Sequence, residues 1–295
     1  MAAVYTTTFP VRNYECDPFN EVSHASYLRY MQEAAFGASA DVGFSAGRYR
    51  ELGLTWLAYE TNIEYRHQLT YGETVRIKTW VADFRRVRSL RRYELYSGDK
   101  LTATATTDWV LIDNAKRMPT TVPDFVVDAY SDGQQVETVE RVSPLPAAPA
   151  PKQGAFQHTL RVTWRDLDPA GHVNNAIYLD FIADSQRLVN QHYGWTRERL
   201  GSMGLKRRVR QHVVAYKTPA MLDDELAIQT WLSHVEGNSA IRHYHITRHA
   251  DGKLIATVRE SAVWINPATG APALLPDVYR ADLAENIVVT GQPSE

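Results

Sequence analysis

The chain has 295 residues, with 32 basic against 34 acidic side chains for a formal charge of −2, and a single cysteine, Cys16. The length suggests two domains of roughly 150 residues, and near-neutrality excludes bulk attraction to nucleic acid or an anionic membrane. One cysteine excludes an intrachain disulfide and a CxxC metal or redox site, and fits a reducing compartment.

In chain order, the start MAAVYTTTFPVRNYE lacks the basic stretch and apolar core of a secretory signal. No apolar run approaches the roughly 20 residues that span a bilayer, so a cytoplasmic protein without membrane insertion is expected. A strand at 7–14 leads into a loop with Asp17-Pro18, then a long helix. Four strands at 56–67, 73–84, 89–97 and 101–112 follow, rich in Thr, Val, Tyr, Ile and Trp. Ser143 to Gly154, rich in proline and alanine, reads as an extended connector. The order then recurs, with strands at 159–164, 209–217, 225–235, 240–249 and 254–265. Between the first two lies a helix on which Ile177, Tyr178, Phe181, Ile182, Leu188 and Val189 form one apolar face. Asn174 or Asn175 is its expected N-cap, and Gly194 follows its end.

The recurrence is a duplication. Asp17 and Asp168 stand 151 positions apart, and the same offset pairs Val22 with Val173, Tyr27 with Tyr178, Tyr65 with Tyr216 and Trp80 with Trp231. Beyond a hairpin the offset becomes 153, pairing Leu101 with Leu254 and Ile112 with Ile265, which predicts two extra residues in one turn. A helix followed by a strand meander indicates α+β, with an antiparallel sheet wrapped around a long central helix. The expected boundaries are an N-terminal domain at 1–135, a linker at 136–155 and a C-terminal domain at 156–290.

Trp164 to Asn175, WRDLDPAGHVNN, concentrates carboxylates, a histidine and two asparagines at one helix start. Unpaired N–H groups there would polarise a carbonyl oxygen and stabilise an oxyanion. Gly171 would allow close approach of a substrate, with Asp168 as general base or nucleophile and His172 or Asn174 orienting it or holding water. The same residues also read as ordinary turn and cap chemistry. Arg85, Arg86, Arg88, Arg91 and Arg92 read equally as a phosphate or acidic-partner site and as a solvated hairpin, and so does the run Lys206, Arg207, Arg208 and Arg210. Cys16 reads as a buried structural thiol. His243, His245 and His249 read as one polar strand face, without the carboxylate or cysteine that a metal site would add.

D-L-D-x-x-x-H-V-N-N, carried by Asp166, Leu167, Asp168, His172, Val173, Asn174 and Asn175, resembles the signature of plant and bacterial acyl-ACP thioesterases, which are tandem hotdog proteins. Asp17 followed seven positions later by His24-Ala25-Ser26-Tyr27-Leu28 resembles the related 4-hydroxybenzoyl-CoA thioesterases. The resemblance implies two hotdog domains, hydrolysis of an acyl thioester of acyl carrier protein or coenzyme A, and no cofactor. It makes Asp168 and His172 the catalytic pair, supported by Asn174 and Asn175, with Asp17 and His24 at a second site; from the arginine cluster, Arg88 and Arg91 are the residues expected to meet the substrate's phosphates or acidic carrier. Two departures stand out. Ala170 replaces the family's asparagine, and Pro219 or Ala220 occupies the place of its glutamate, where the first copy has Gln68. A hotdog hydratase and a non-catalytic thioester-binding module are the alternatives. The two copies are expected to pair as an internal pseudo-dimer, with further homo-oligomerisation left open. Halves produced separately are accordingly expected to associate on mixing, and stable monomeric halves in analytical ultracentrifugation would contradict it.

Overall fold

The computed structural model describes residues 4–131, 139–141 and 143–289. Positions 136–138 and 142 of the expected linker, and the domain ends at 1–3, 132–135 and 290, lie outside the described residues. The chain divides into two units, Met1–Val142 and Ser143–Glu295.

Unit 1 runs β1 (Tyr5–Pro10), α1 (His24–Asp41), α2 (Ala46–Glu51), β2 (Leu54–Tyr65), β3 (Thr74–Arg85), β4 (Arg88–Ser97), β5 (Lys100–Asp113), β6 (Met118–Pro119) and α3 (Asp124–Ser131). Its strands pair antiparallel in the order β1-β3-β4-β5-β2, with β6 on β5. Unit 2 runs β7 (Gln157–Arg161), α4 (Ile177–His192), α5 (Arg197–Ser202), β8 (Lys206–Tyr216), β9 (Glu225–Glu236), β10 (Ser239–Arg248), β11 (Leu254–Ile265), α6 (Asp277–Asp282) and β12 (Ile287–Val288). Its order is β7-β9-β10-β11-β8, the same topology, with β12 added parallel to β9. The two extra residues fall in the β10–β11 turn. Thr247 pairs Leu254 where Tyr96 pairs Leu101, so six residues cross the second turn and four the first.

Both opening strands end earlier than expected. A one-turn 3-10 helix takes over at Asn13–Glu15 and at Trp164–Asp166, because a carboxylate three residues on captures the preceding amide. Glu15 accepts from Arg12 N at 2.7 Å and Asp166 from Thr163 N at 2.7 Å. Helix α4 buries Tyr178, Leu179, Phe181, Ile182, Ser185 and Val189, whereas α1 offers Leu28, Met31, Ala34, Ala35 and Ala38 among its buried residues. Gly43 and Gly194 close these helices at positive φ (87° and 69°), which lets Phe44 N reach Ser39 O and Trp195 N reach Asn190 O. Secondary apolar clusters form around Phe44, Tyr49, Leu111 and Val126 in unit 1, and around Trp195, Trp264, Tyr279 and Leu283 in unit 2.

The Pro/Ala-rich stretch carries no helix or strand, and Arg259 fastens its start by donating to Leu145 O at 2.6 Å, Pro146 O at 3.0 Å and Ser143 Oγ at 2.5 Å. Nearby on the same sheet face, His243 is buried against Trp231, with Nε2 2.7 Å from Ser233 Oγ. His245 packs edge-on to Trp231, but His249 lies beyond the end of β10 and does not complete the expected row of three. Among the described residues no group of three His, Cys, Asp or Glu side chains could hold a metal ion.

Desolvation, with His234 and Arg259 adding repulsion, pushes the His243 imidazole down to about 4. It is neutral when folded but titrates near 6.5 when unfolded, so the unfolded chain binds more protons between these values. Its contribution is therefore complete above about pH 6.5 and is lost as pH falls toward about 4. His243→Gln is expected to flatten the decline in Tm over that window, and an unchanged slope would contradict this.

Candidate active site

Each unit builds the same loop ahead of its long helix. In unit 2, Asp168 N donates to His172 O (3.0 Å), Gly171 N to Asp168 O (2.9 Å) and Ala170 N to Asp168 Oδ1 (2.8 Å). In unit 1, Asp17 N donates to Glu21 O, Asn20 N to Asp17 O, and Asp17 Oδ1 accepts from Phe19 N (2.8 Å) and Glu21 N (3.1 Å). The turn needs positive φ at its fourth residue, and Gly171 (81°) and Asn20 (61°) both supply it. Gly171 thus serves the turn itself, as Asn20 does in unit 1. A Cβ there would meet no protein atom within 4 Å, so the backbone at Gly171 faces open space.

The loop is pinned to the sheet beside it. Val173 N donates to Ala220 O as Val22 N does to Leu69 O, and Leu69 N in turn donates to the Tyr27 hydroxyl (3.0 Å). Tyr178 packs edge-on to Tyr216 (5.5 Å), as Tyr27 does to Tyr65 (5.2 Å).

Asp168 and His172 come together, with His172 Nδ1 3.7 Å from Asp168 Oδ1 and both side chains mostly buried. Oδ1 is occupied by the loop amide, while Oδ2 accepts no hydrogen bond among the described residues. A carboxylate held by one oxygen and open at the other, next to an imidazole, can take a proton from water and pass it on.

The flanking amides depart from expectation. Helix α4 starts at Ile177 with Ala176 as N-cap, not at Asn174 or Asn175. Asn174 acts one step earlier, its Oδ1 accepting from Ala176 N (2.9 Å) and its carbonyl from Ile177 N (3.0 Å), because a short amide side chain competes for its own downstream backbone. Two N–H groups expected to face substrate are therefore satisfied within the chain. Asn175 is half-buried and its carbonyl accepts from the Tyr216 hydroxyl (3.0 Å). In unit 1 the helix begins two positions earlier in the repeat. Ser23 caps it by accepting from Ser26 N, and His24 lies in its first turn with its ring 4.7 Å from Tyr65. Gln68 is half-buried, with Oε1 enclosed and without a hydrogen-bond partner among the described residues.

The five hairpin arginines are not equivalent, since Arg85, Arg86 and Arg92 are exposed while Arg91 is buried. Arg91 is 5% exposed and donates to Thr79 Oγ1, so it lies out of reach of a phosphate at the surface. Arg88 is ion-paired with Asp108 and lies over the Tyr59 ring. Arg85 donates to Val139 O, and Arg141 is clamped between the buried Asp83 and Asp108. Arg207 of the second basic run is ion-paired to Glu260. Cys16 is half-buried, and burial followed by Asp17 and Glu15 raises its thiol pKa, which disfavours a nucleophilic thiolate.

Sequence reasoning missed the buried charges. Glu260 on β11 accepts from Arg207 and lies 3.0 Å from His212 Nε2 on β8. Its signal was present, since Val258, Glu260 and Ala262 are alternate residues of one strand in which both neighbours are apolar.

The model for the Acyl-ACP thioesterase N-terminal domain matches residues 2–130, and that for the Thioesterase-like superfamily matches residues 162–283. A solved chain from Lactobacillus plantarum superposes with a TM-score of 0.77 at 18% identity, over 92% of this chain and 98% of that one. The chain has the tandem hotdog fold, and each of its halves matches a thioesterase model. This double hotdog is also similar in fold to the 12:0-ACP thioesterase of Umbellularia californica, with a TM-score of 0.66 and 19% identity over 88% of this chain and 93% of that one. In sequence it is similar to the chloroplastic acyl-[acyl-carrier-protein] hydrolase FATB2 of Cuphea viscosissima, 28% identical over 62% of this chain and 47% of that protein. A second relative, oleoyl-acyl carrier protein thioesterase 1 of Arabidopsis thaliana, is 26% identical over 64% of this chain and 57% of that protein. The chain thus spans about half the length of these relatives.

Proposed function

We propose that this tandem hotdog protein hydrolyses acyl thioesters carried by acyl carrier protein or coenzyme A, with the Asp168 loop of unit 2 as the principal site. The observation that carries the reading is the Asp168–His172 pair, fixed by the loop at one carboxylate oxygen and open at the other. Asp168 acts as general base, taking a proton from the water that attacks the thioester carbonyl. His172 steadies the carboxylate and passes the proton to the departing thiolate. Products are the free acid and the thiol, and no cofactor takes part in these steps. The names of the family models and of the plant relatives support this substrate class. No described helix is long and apolar enough to cross a membrane, and we assign the protein to the cytoplasm on the strength of its lone, reduced cysteine.

A second reading, a thioester-binding module without turnover, is favoured by Ala170 and by Pro219 or Ala220, which stand where the acyl-ACP enzymes carry an asparagine and a glutamate. Thiol release followed with a chromogenic reagent, across acyl lengths and both carriers, separates the two. Hydrolysis predicts thiol and free acid in equal amounts. Saturable binding with no thiol release would leave the module.

A further inference from the structure

Both loops are latched to their sheets in the same way, but what stands behind the latch differs. In each unit one residue between the first two long strands, Leu69 or Ala220, uses both of its backbone groups. Its carbonyl accepts from Val22 N or Val173 N, and its amide meets the hydroxyl of Tyr27 or Tyr178 on the long helix. In unit 2 this contact adjoins the Asp168–His172 pair. Val173 N belongs to the peptide whose carbonyl, His172 O, accepts from Asp168 N. The peptide joining His172 to Val173 is thus fixed on one side by Asp168 and on the other by Ala220.

Behind Ala220 stands Arg248, at the end of β10. Its Nη2 donates to Pro219 O (2.6 Å), its Nε to Asp224 Oδ2 (2.8 Å) and its Nη1 to Asp251 Oδ2 (3.2 Å). Asp224 Oδ2 also accepts from Met221 N (2.8 Å), so the residues on both sides of Ala220 are tied to one guanidinium. A planar fork holds three acceptors at set angles, which a single ammonium does not. Burial raises the pKa of the Tyr178 hydroxyl, the Ala220 amide and Arg248 oppose this, and Asp224 and Asp168 add to it, so these charges all surround the latch.

Unit 1 builds its latch without the arginine. At the offset of 151, Ser97 stands in the place of Arg248, Glu73 in that of Asp224 and Gln68 in that of Pro219. The Ser97 hydroxyl and the amide and hydroxyl of Thr70 all donate to Glu73. The β10–β11 turn, two residues longer than its counterpart, carries Asp251, which is set in place by Lys253 N donating to Oδ1 (3.1 Å). Four differences between the copies, at Arg248, Asp224, Pro219 and the lengthened turn, therefore converge on one guanidinium behind one of the two loops. The fold itself does not require it, since unit 1 closes the same loop by other means.

We propose that Arg248 is a positioning residue for the reaction at Asp168. It holds Pro219 and Asp224, these fix Ala220, Ala220 fixes Val173, and the His172 imidazole is thereby kept beside the Asp168 carboxylate. The inference rests on the reading of the Asp168 loop as the hydrolytic site. A displacement of about 1 Å is enough to cost a large factor in rate, so loosening the latch lowers turnover while substrate binding persists.

The test measures Arg248→Met and Arg248→Lys in the full chain by thermal melt, by thiol release and by amide hydrogen exchange at Val173, with Val22 of unit 1 as internal reference. Arg248→Met is expected to exchange at Val173 at least tenfold faster with Val22 unchanged, and to lose at least tenfold in kcat with KM within about twofold. Arg248→Lys keeps a charge opposite Asp224, so it should retain most of the Tm yet recover only part of kcat. Wild-type kcat in folded Arg248→Met overturns the proposal, as does an unchanged exchange rate at Val173 or a loss that falls on KM alone. Should Arg248→Met not fold, wild-type kcat and wild-type Val173 exchange in Arg248→Lys overturn it. A wild-type chain that releases no thiol would instead refute the hydrolytic reading, and the exchange comparison still decides whether Arg248 holds the loop.

Discussion

Asp168→Asn is expected to lower turnover on acyl thioesters by about 10² to 10⁴, the range for losing a positioned general base. The amide keeps the oxygen that accepts from Ala170 N, so the loop should hold its turn and the Tm should change little. What is lost is the basic second oxygen and the negative charge beside His172. The measurement is kcat from thiol release together with a thermal melt. Comparable turnover in a folded variant would remove Asp168 from the mechanism.

Glu260→Ala is expected to destabilise the chain by about 3–5 kcal/mol, because it strands a guanidinium and an imidazole in the core of unit 2. Unit 1 shows another solution at the same cross-strand position, a neutral Thr61–Thr107 hydroxyl pair bonded at 3.2 Å. Adding His212→Thr to Glu260→Thr should therefore recover part of the loss, since a hydroxyl pair leaves fewer unmet buried polar groups than Arg207 and His212 together. Urea unfolding of wild type, the single variant and the double variant reads this directly. A loss below about 1 kcal/mol for Glu260→Ala would mean that water reaches the cluster.

The architecture was legible because duplication repeats every local signal. Eight long strands read from Thr, Val, Tyr, Ile and Trp runs fall within a few residues of β2–β5 and β8–β11. The short helices α2, α3, α5 and α6 were not, since six to eight residues give too little periodicity and each depends on packing into the secondary apolar clusters. At the site, the sequence brought Asp168 and His172 together correctly but misplaced the helix start, where an asparagine that could cap at Asn174 instead closes a turn before Ala176. Arginine was misread for a different reason. A run of five arginines in a hairpin suggests solvent, yet strand alternation sends Arg91 inward while Asp108 on the next strand takes Arg88. Neither partner is close enough in sequence to be inferred from composition.

The central claim, that unit 2 carries the principal catalytic loop, is tested most directly by measuring kcat/KM for Asp17→Asn and Asp168→Asn on one thioester panel. In unit 2 a histidine stands four residues after the aspartate, where unit 1 has Glu21, which would bring negative charge toward a forming oxyanion. The predicted result is a loss at Asp168 larger by at least about 1.4 kcal/mol of transition-state stabilisation, a factor of ten in rate. Equal losses, or a larger one at Asp17, would contradict it.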